Sequence, residues 1–179
     1  GEGNGGDRAR LAVTREEGVI PREEVGRKDT SNEDKSLYRR VCRGDIVYNT
    51  MRMWQGVSAL SNLDGIVSPA YTVLRPSNLI DARFAAYLFK YPPTTHLFYR
   101  YSQGLVSDTW NLKFAHFSEI TLELPELQEQ AAIVAVLDNA DKAIDALERT
   151  ARAFRGERQS LMADLLTGKR RVRLHETKS

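Results

Sequence analysis

Residues 124–168 read LPELQEQAAIVAVLDNADKAIDALERTARAFRGERQSLMADLLTG, and the spacing of their apolar positions decides the fold. Ile133, Leu137, Ala140, Ile144, Leu147, Ala151, Phe154, Leu161 and Leu165 recur in steps of four and three. On a helix these positions form one stripe. The pattern is a heptad seam sustained over roughly five repeats, which predicts a long helix that packs against another helix. At ~1.5 Å per residue such a helix is ~60 Å long. Pro125 suits its first turn, and Glu126 and Glu129 suit the positive end of the helix dipole. Gly168 suits the residue just past its end, followed by Lys169, Arg170 and Arg171 at the negative end. Two features weaken the seam. Gly156 costs about 1 kcal/mol relative to alanine, and Arg158 occupies a seam position.

Upstream of the helix the pattern changes to short strands. Residues 10–13 are strand-like, and 16–36 are polar and glycine-containing and read as loop. Tyr38 to Val41, Ile46 to Tyr48, Val57 to Leu60, Gly65 to Ser68 and Ala70 to Arg75 read as strands separated by turns. In the last of these, Tyr71 and Val73 fall on one face and Thr72 and Leu74 on the other. Residues 81–91 read as a helix ended by Pro92-Pro93, and 94–101 as a second. Residues 118–124 alternate as a strand leading into the long helix. The fold class is therefore α+β: a small domain of mixed or antiparallel sheet, then one long C-terminal helix of coiled-coil type. The divisions are 1–124, with 1–9 as a flexible end, 125–168 for the helix, and 169–179 as a basic tail.

Composition sets outer bounds. The chain has 179 residues, 41% hydrophobic and 28% charged, which suits one soluble domain with an extension. Its formal net charge is only +2, but Arg39, Arg40, Arg43 and Arg52 lie close together, and a local patch matters more to nucleic acid than the total. A lone cysteine, Cys42, excludes an internal disulfide and fits a reducing cytoplasm. No apolar run is long enough to span a membrane, and no signal peptide is visible.

Little in the sequence points to catalysis. No glycine-rich loop joins a strand to a helix, and His96, His116 and His175 lack metal-ligand spacing. Two loops instead carry side chains suited to reading bases. The first, 49–56, holds Asn49, Arg52, Trp54 and Gln55; Arg pairs with guanine and Asn or Gln with adenine in the major groove. The second, 102–113, holds Gln103, Ser107, Thr109, Trp110, Asn111 and Lys113. Arg39, Arg40 and Arg43 suit phosphates, which position a duplex without specifying it. The competing reading makes both loops ordinary connections whose tryptophans plug the domain edge. On residues alone, two other functions stay open. One is a coiled-coil scaffold protein with an α+β head. The other is a metal-dependent nuclease drawing on Asp45 with Glu119 or Glu123.

In chain order, Gly44-Asp45-Ile46-Val47-Tyr48-Asn49, Gly65-Ile66-Val67-Ser68-Pro69-Ala70-Tyr71, Leu124-Pro125-Glu126-Leu127-Gln128-Glu129-Gln130 with Ile133, and Leu165-Leu166-Thr167-Gly168-Lys169 form a series. It resembles the DNA specificity (S) subunit of type I restriction–modification systems, from about Tyr38 to Val172. The resemblance implies a target-recognition domain that reads one half of a split site on double-stranded DNA. It implies a helix that acts as spacer and docks methyltransferase (M) subunits. Those subunits carry S-adenosylmethionine and the chemistry, so this chain needs no cofactor and is no enzyme itself; a restriction (R) subunit joins for cleavage. Such subunits usually carry two recognition domains and two long helices, whereas this chain has one of each. A half-subunit that forms a homodimer through the helix, or a fragment of a longer chain, accounts for that difference. An antiparallel pair predicts a gapped palindromic target.

Overall fold

Strand formation starts at the first β-branched and aliphatic run. In the computed structural model, which describes residues 8–25, 36–105 and 109–172, β1 (Leu11–Thr14) pairs antiparallel with β2 (Gly18–Pro21). The turn between them is closed by the Glu17 N–H donating to Thr14 Oγ1 at 3.0 Å. A short 3-10 helix, Arg22–Glu24, follows. Part of the stretch expected to be loop is thus regular structure, because Val19 and Ile20 supply strand-forming side chains within a polar surround. Other expectations, for residues 1–7, for 26–35 and for 173–179 of the basic tail, fall outside the described residues.

β3 (Arg39–Val41) pairs antiparallel with β6 (Gly65–Val67). β4 (Ile46–Asn49) lies between β5 (Ser58–Leu60) and β7 (Tyr71–Leu74), antiparallel to both. The turn into β4 is held by the buried Asp45, whose Oδ2 accepts the Cys42 N–H at 2.8 Å and whose Oδ1 lies 3.5 Å from Arg75 Nε.

The alternation of β4 divides the interior. Val47 belongs to a core with Leu11, Val13, Val41, Val57, Ala59 and Val67. Ile46 and Tyr48 belong to a second with Met53, Ala85, Phe89, Phe98 and Leu112. A period of two places successive side chains on opposite faces, so this strand is buried on both. Its neighbour β7 follows the same rule, with Tyr71 and Val73 against the first core and Leu74 against the second.

The Tyr48 hydroxyl is buried and has no hydrogen-bond partner among the described residues. Burial raises its phenol above the ordinary value; the nearby Thr72 side chain, which approaches without forming a well-aligned hydrogen bond, and the charge of Arg39 oppose the rise. A buried unpaired hydroxyl costs about 1–3 kcal/mol. Tyr48→Phe is therefore expected to stabilise the protein by about 1 kcal/mol in urea denaturation; a loss of similar size would show that the hydroxyl is paired.

Helices close the second core. α1 (Ala82–Leu88) is capped by Asp81, whose Oδ1 accepts the Arg83 and Phe84 N–H groups at 2.9 Å. α2 (Pro92–Tyr101) begins with the two prolines that were expected to end its predecessor. Proline at the first helical position lacks only an N–H that has no intrahelical partner there. α3 (Phe114–Phe117) brings Phe117 to stack on Tyr48 at 5.5 Å and to meet Phe89 and Phe98. The segment expected to be a strand at 118–124 is not one. Its alternation comes from Ile120, which packs on the second core from a segment with no partner strand.

α4 (Leu127–Leu166) is unbroken through Gly156. It starts two residues after Pro125, with the Glu126 carbonyl accepting the Gln130 N–H at 2.9 Å, so Pro125 precedes the first turn rather than forming it. Gly168, at φ +76°, ends it as expected. The chain divides into two units at Val134 and Ala135. In the first unit Gln130 is fully buried. Its Oε1 accepts the Asp81 N–H at 2.7 Å, and its Nε2 donates to the Leu79 carbonyl at 3.1 Å and the Pro125 carbonyl at 2.8 Å. In the second unit Ile144, Leu147, Phe154 and Leu165 of the seam are exposed, Leu147 at 70% and Phe154 at 64%. No helix among the described residues is long and apolar enough to cross a membrane.

Candidate nucleic-acid interface

Loop 49–56 grows from the end of β4 and is closed at its base by the Asn49 N–H donating to the Val57 carbonyl at 3.1 Å. Asn49 Oδ1 accepts the Met51 N–H at 3.0 Å, an Asx turn that commits part of this amide to the loop itself. Residues Met53–Gln55 form a 3-10 turn ended by Gly56 at φ +75°. A Cβ on Gly56 would lie 3.0 Å from Thr95 Cγ2 in a backbone conformation that favours glycine, so both space and φ demand glycine here.

Loop 102–113 meets this loop. The Leu112 N–H donates to the Thr50 carbonyl at 2.8 Å, and Trp110 packs edge-on against Trp54 with ring centroids 5.3 Å apart. Tyr99 of α2 adds a second edge contact to Trp110 at 4.9 Å, and His96 stacks on Tyr99. Gln103 and Asn111 exchange both backbone hydrogen bonds at 2.9 Å, and Asn111 Nδ2 donates to the Thr109 carbonyl at 3.2 Å.

The candidate side chains thus fall into two groups. Trp54, Trp110 and Asn111 build the loops: Trp54 Nε1 donates to the Met51 carbonyl at 3.0 Å, and both indoles are partly buried. Arg52, Gln55, Gln103, Thr109 and Lys113 are exposed. The Arg52 side chain makes no hydrogen bond or ion pair among the described residues. Ser107 lies outside the described residues.

The three arginines of the early basic run have different surroundings. Arg39 donates to the Tyr71 carbonyl, and Arg43 sits 3.4 Å from Asp64. Arg40 is exposed, on the rim of a depression shared with Arg43 and Arg75.

One contributor escaped the sequence. Arg15, in the β1–β2 turn, donates to Gln55 Oε1 at 3.3 Å and to its carbonyl at 3.4 Å. It therefore joins the hairpin to loop 49–56. The available signal was the pair of strand-like runs flanking Gly18, which makes residues 15–17 a hairpin turn. Asp45, a candidate acid for nuclease chemistry, is engaged by Arg75 and the Cys42 N–H and serves the turn.

Comparison with known proteins bears on the family and the fold. The type I restriction modification DNA specificity domain matches residues 22–153. The HsdS subunit from Thermoanaerobacter tengcongensis has a similar structure, with 23% identity and a TM-score of 0.57 over 73% of this chain and 34% of that one. A chain from a structure on the assembly and conformational transition of the type I R-M system matches with 23% identity and a TM-score of 0.55, over 69% of this chain and 29% of that one. The chain thus spans about a third of these solved chains, and the likeness is one of fold. No curated protein matches. With more than half of its length matched, the chain belongs to the family of type I restriction modification DNA specificity domains.

Proposed function

We propose that the chain reads one half of a bipartite duplex DNA target with residues 1–124, docks methyltransferase subunits along 125–168, and carries out no reaction itself. S-adenosylmethionine then resides on the methyltransferase subunit, and a restriction subunit joins for cleavage. The observation that carries this reading is the convergence of loops 49–56 and 102–113 through Trp54 and Trp110. That contact sets the loop carrying Arg52 and Gln55 against the loop carrying Gln103 and Lys113, two stretches distant in the sequence. Arg52 and Gln55 are side-chain types that read base edges, and Arg40 suits a phosphate. Two copies paired through the seam of α4 supply the second half-site.

The test is to co-express the chain with its methyltransferase subunit and map methylated sites across a genome. A gapped palindrome is expected, whereas an asymmetric motif would show that a second, different recognition domain takes part. Arg52→Ala should relax the motif at one position, with about 1–3 kcal/mol of discrimination lost there. Arg40→Ala should lower methylation at all sites alike. An unchanged motif after substitution of Arg52, Gln55, Gln103 and Lys113 together would remove these residues from base reading.

A further inference from the structure

A cleft of about 770 Å³ opens beside loop 49–56, on the side of the β1–β2 hairpin. Among the described residues, Arg10, Arg15, Arg22 and Arg52 line it against one carboxylate, Glu16, a locally basic wall. Leu11, Val13 and Val57 are buried residues of the same lining. A concave surface with low-dielectric walls focuses the field of its charges.

The hairpin distributes the arginines along the cleft. The β1–β2 register sets Leu11 opposite Pro21, and one step further the Arg22 N–H donates to the Arg10 carbonyl at 2.8 Å. This backbone bond holds Arg10 and Arg22 close together at one end of the hairpin. Arg15 sits at the other end of the hairpin. At about 3.3 Å per residue, the two ends are about 16 Å apart. Phosphates along one strand of a duplex advance about 3.4 Å each, so the hairpin matches a run of about five. The cleft also includes Asn49 and Arg52, so it is continuous with the loop assigned to base reading.

We propose that this cleft receives the phosphodiester backbone of the bound duplex, with Arg10, Arg15 and Arg22 as its phosphate-contacting residues. The assignment rests on the reading of the chain as a DNA-binding subunit. It adds a positioning surface from residues that precede the recognised motifs in the sequence.

The test is fluorescence anisotropy of the full chain with a random-sequence duplex across a salt series. Each phosphate contact contributes about 0.9 to the slope of log K against log salt concentration. The triple substitution R10Q/R15Q/R22Q is expected to flatten the slope by about 2.7. R15Q alone, at an exposed turn, is expected to flatten it by about 0.9 and guards against misfolding of the triple variant. Wild-type binding with the same slope in both variants would overturn the cleft assignment alone. Absence of salt-dependent binding by the wild type would overturn both the cleft and the DNA-binding reading.

Discussion

Replacing Gln130 by leucine is expected to destabilise the first unit by about 3 kcal/mol. The substitution keeps the volume and removes three hydrogen bonds, at 2.7, 2.8 and 3.1 Å. It leaves the Asp81 N–H and the Pro125 carbonyl without partners, each at about 1–3 kcal/mol. The Leu79 carbonyl belongs to an exposed residue and regains water, which keeps the sum near the lower end. Urea denaturation followed by the fluorescence of Trp54 and Trp110 measures it directly. A change under about 1 kcal/mol would mean that the clasp contributes little beyond what water replaces. The loss should not alter which bases are preferred, because Gln130 holds the helix start to the loop before α1 rather than to loops 49–56 or 102–113.

The second large effect concerns the seam. Leu147→Asp with Phe154→Asp is expected to convert the proposed dimer into a monomer in sedimentation velocity. Each side chain buried in an interface is worth at least about 1.5 kcal/mol, and a twofold pair loses four, or about 6 kcal/mol. That corresponds to a rise of about 10⁴ in the dissociation constant. Lys142→Asp, on the opposite face of the heptad, serves as the control and should leave the assembly intact. A wild-type chain that sediments as a monomer at high concentration would leave the stripe to a methyltransferase subunit instead.

The parts of the fold that were readable from sequence are those with a strong period. The heptads of 133–165 gave the long helix, and the two-residue alternation of 70–75 gave β7 and its two faces. Period alone failed at 118–124, because alternation reports one-sided burial and not a partner strand. Pro92-Pro93 misled for a related reason: proline marks a boundary without saying which side of it is helical. Gln130 carried a signal that went unused. It lies seven residues before Leu137, on the same heptad row, where an apolar residue is the norm. A polar residue on that row either faces water or is fully satisfied, and the structure shows the second.

Of the candidate interface, the chemistry of the loops was legible, and their meeting was not. Trp54 and Trp110 are far apart in sequence, and only packing brings their rings together. The arginines of the hairpin were hidden among Glu16, Glu17, Glu23 and Glu24, whose charges mask them in any count along the chain. Strand pairing sorts these neighbours, placing Arg10 across from Arg22.

The closed base of loop 49–56 has a consequence for how such a protein can be re-targeted. The strand beneath the loop is gripped on both faces, and the loop's ends are tied to each other at Asn49 and Val57. Exchanges at the exposed tip residues Met51, Arg52 and Gln55 therefore leave both interiors untouched. The scaffold behaves as a socket, and on the proposed assignment of Arg52 and Gln55 its rim can be changed without rebuilding what holds it.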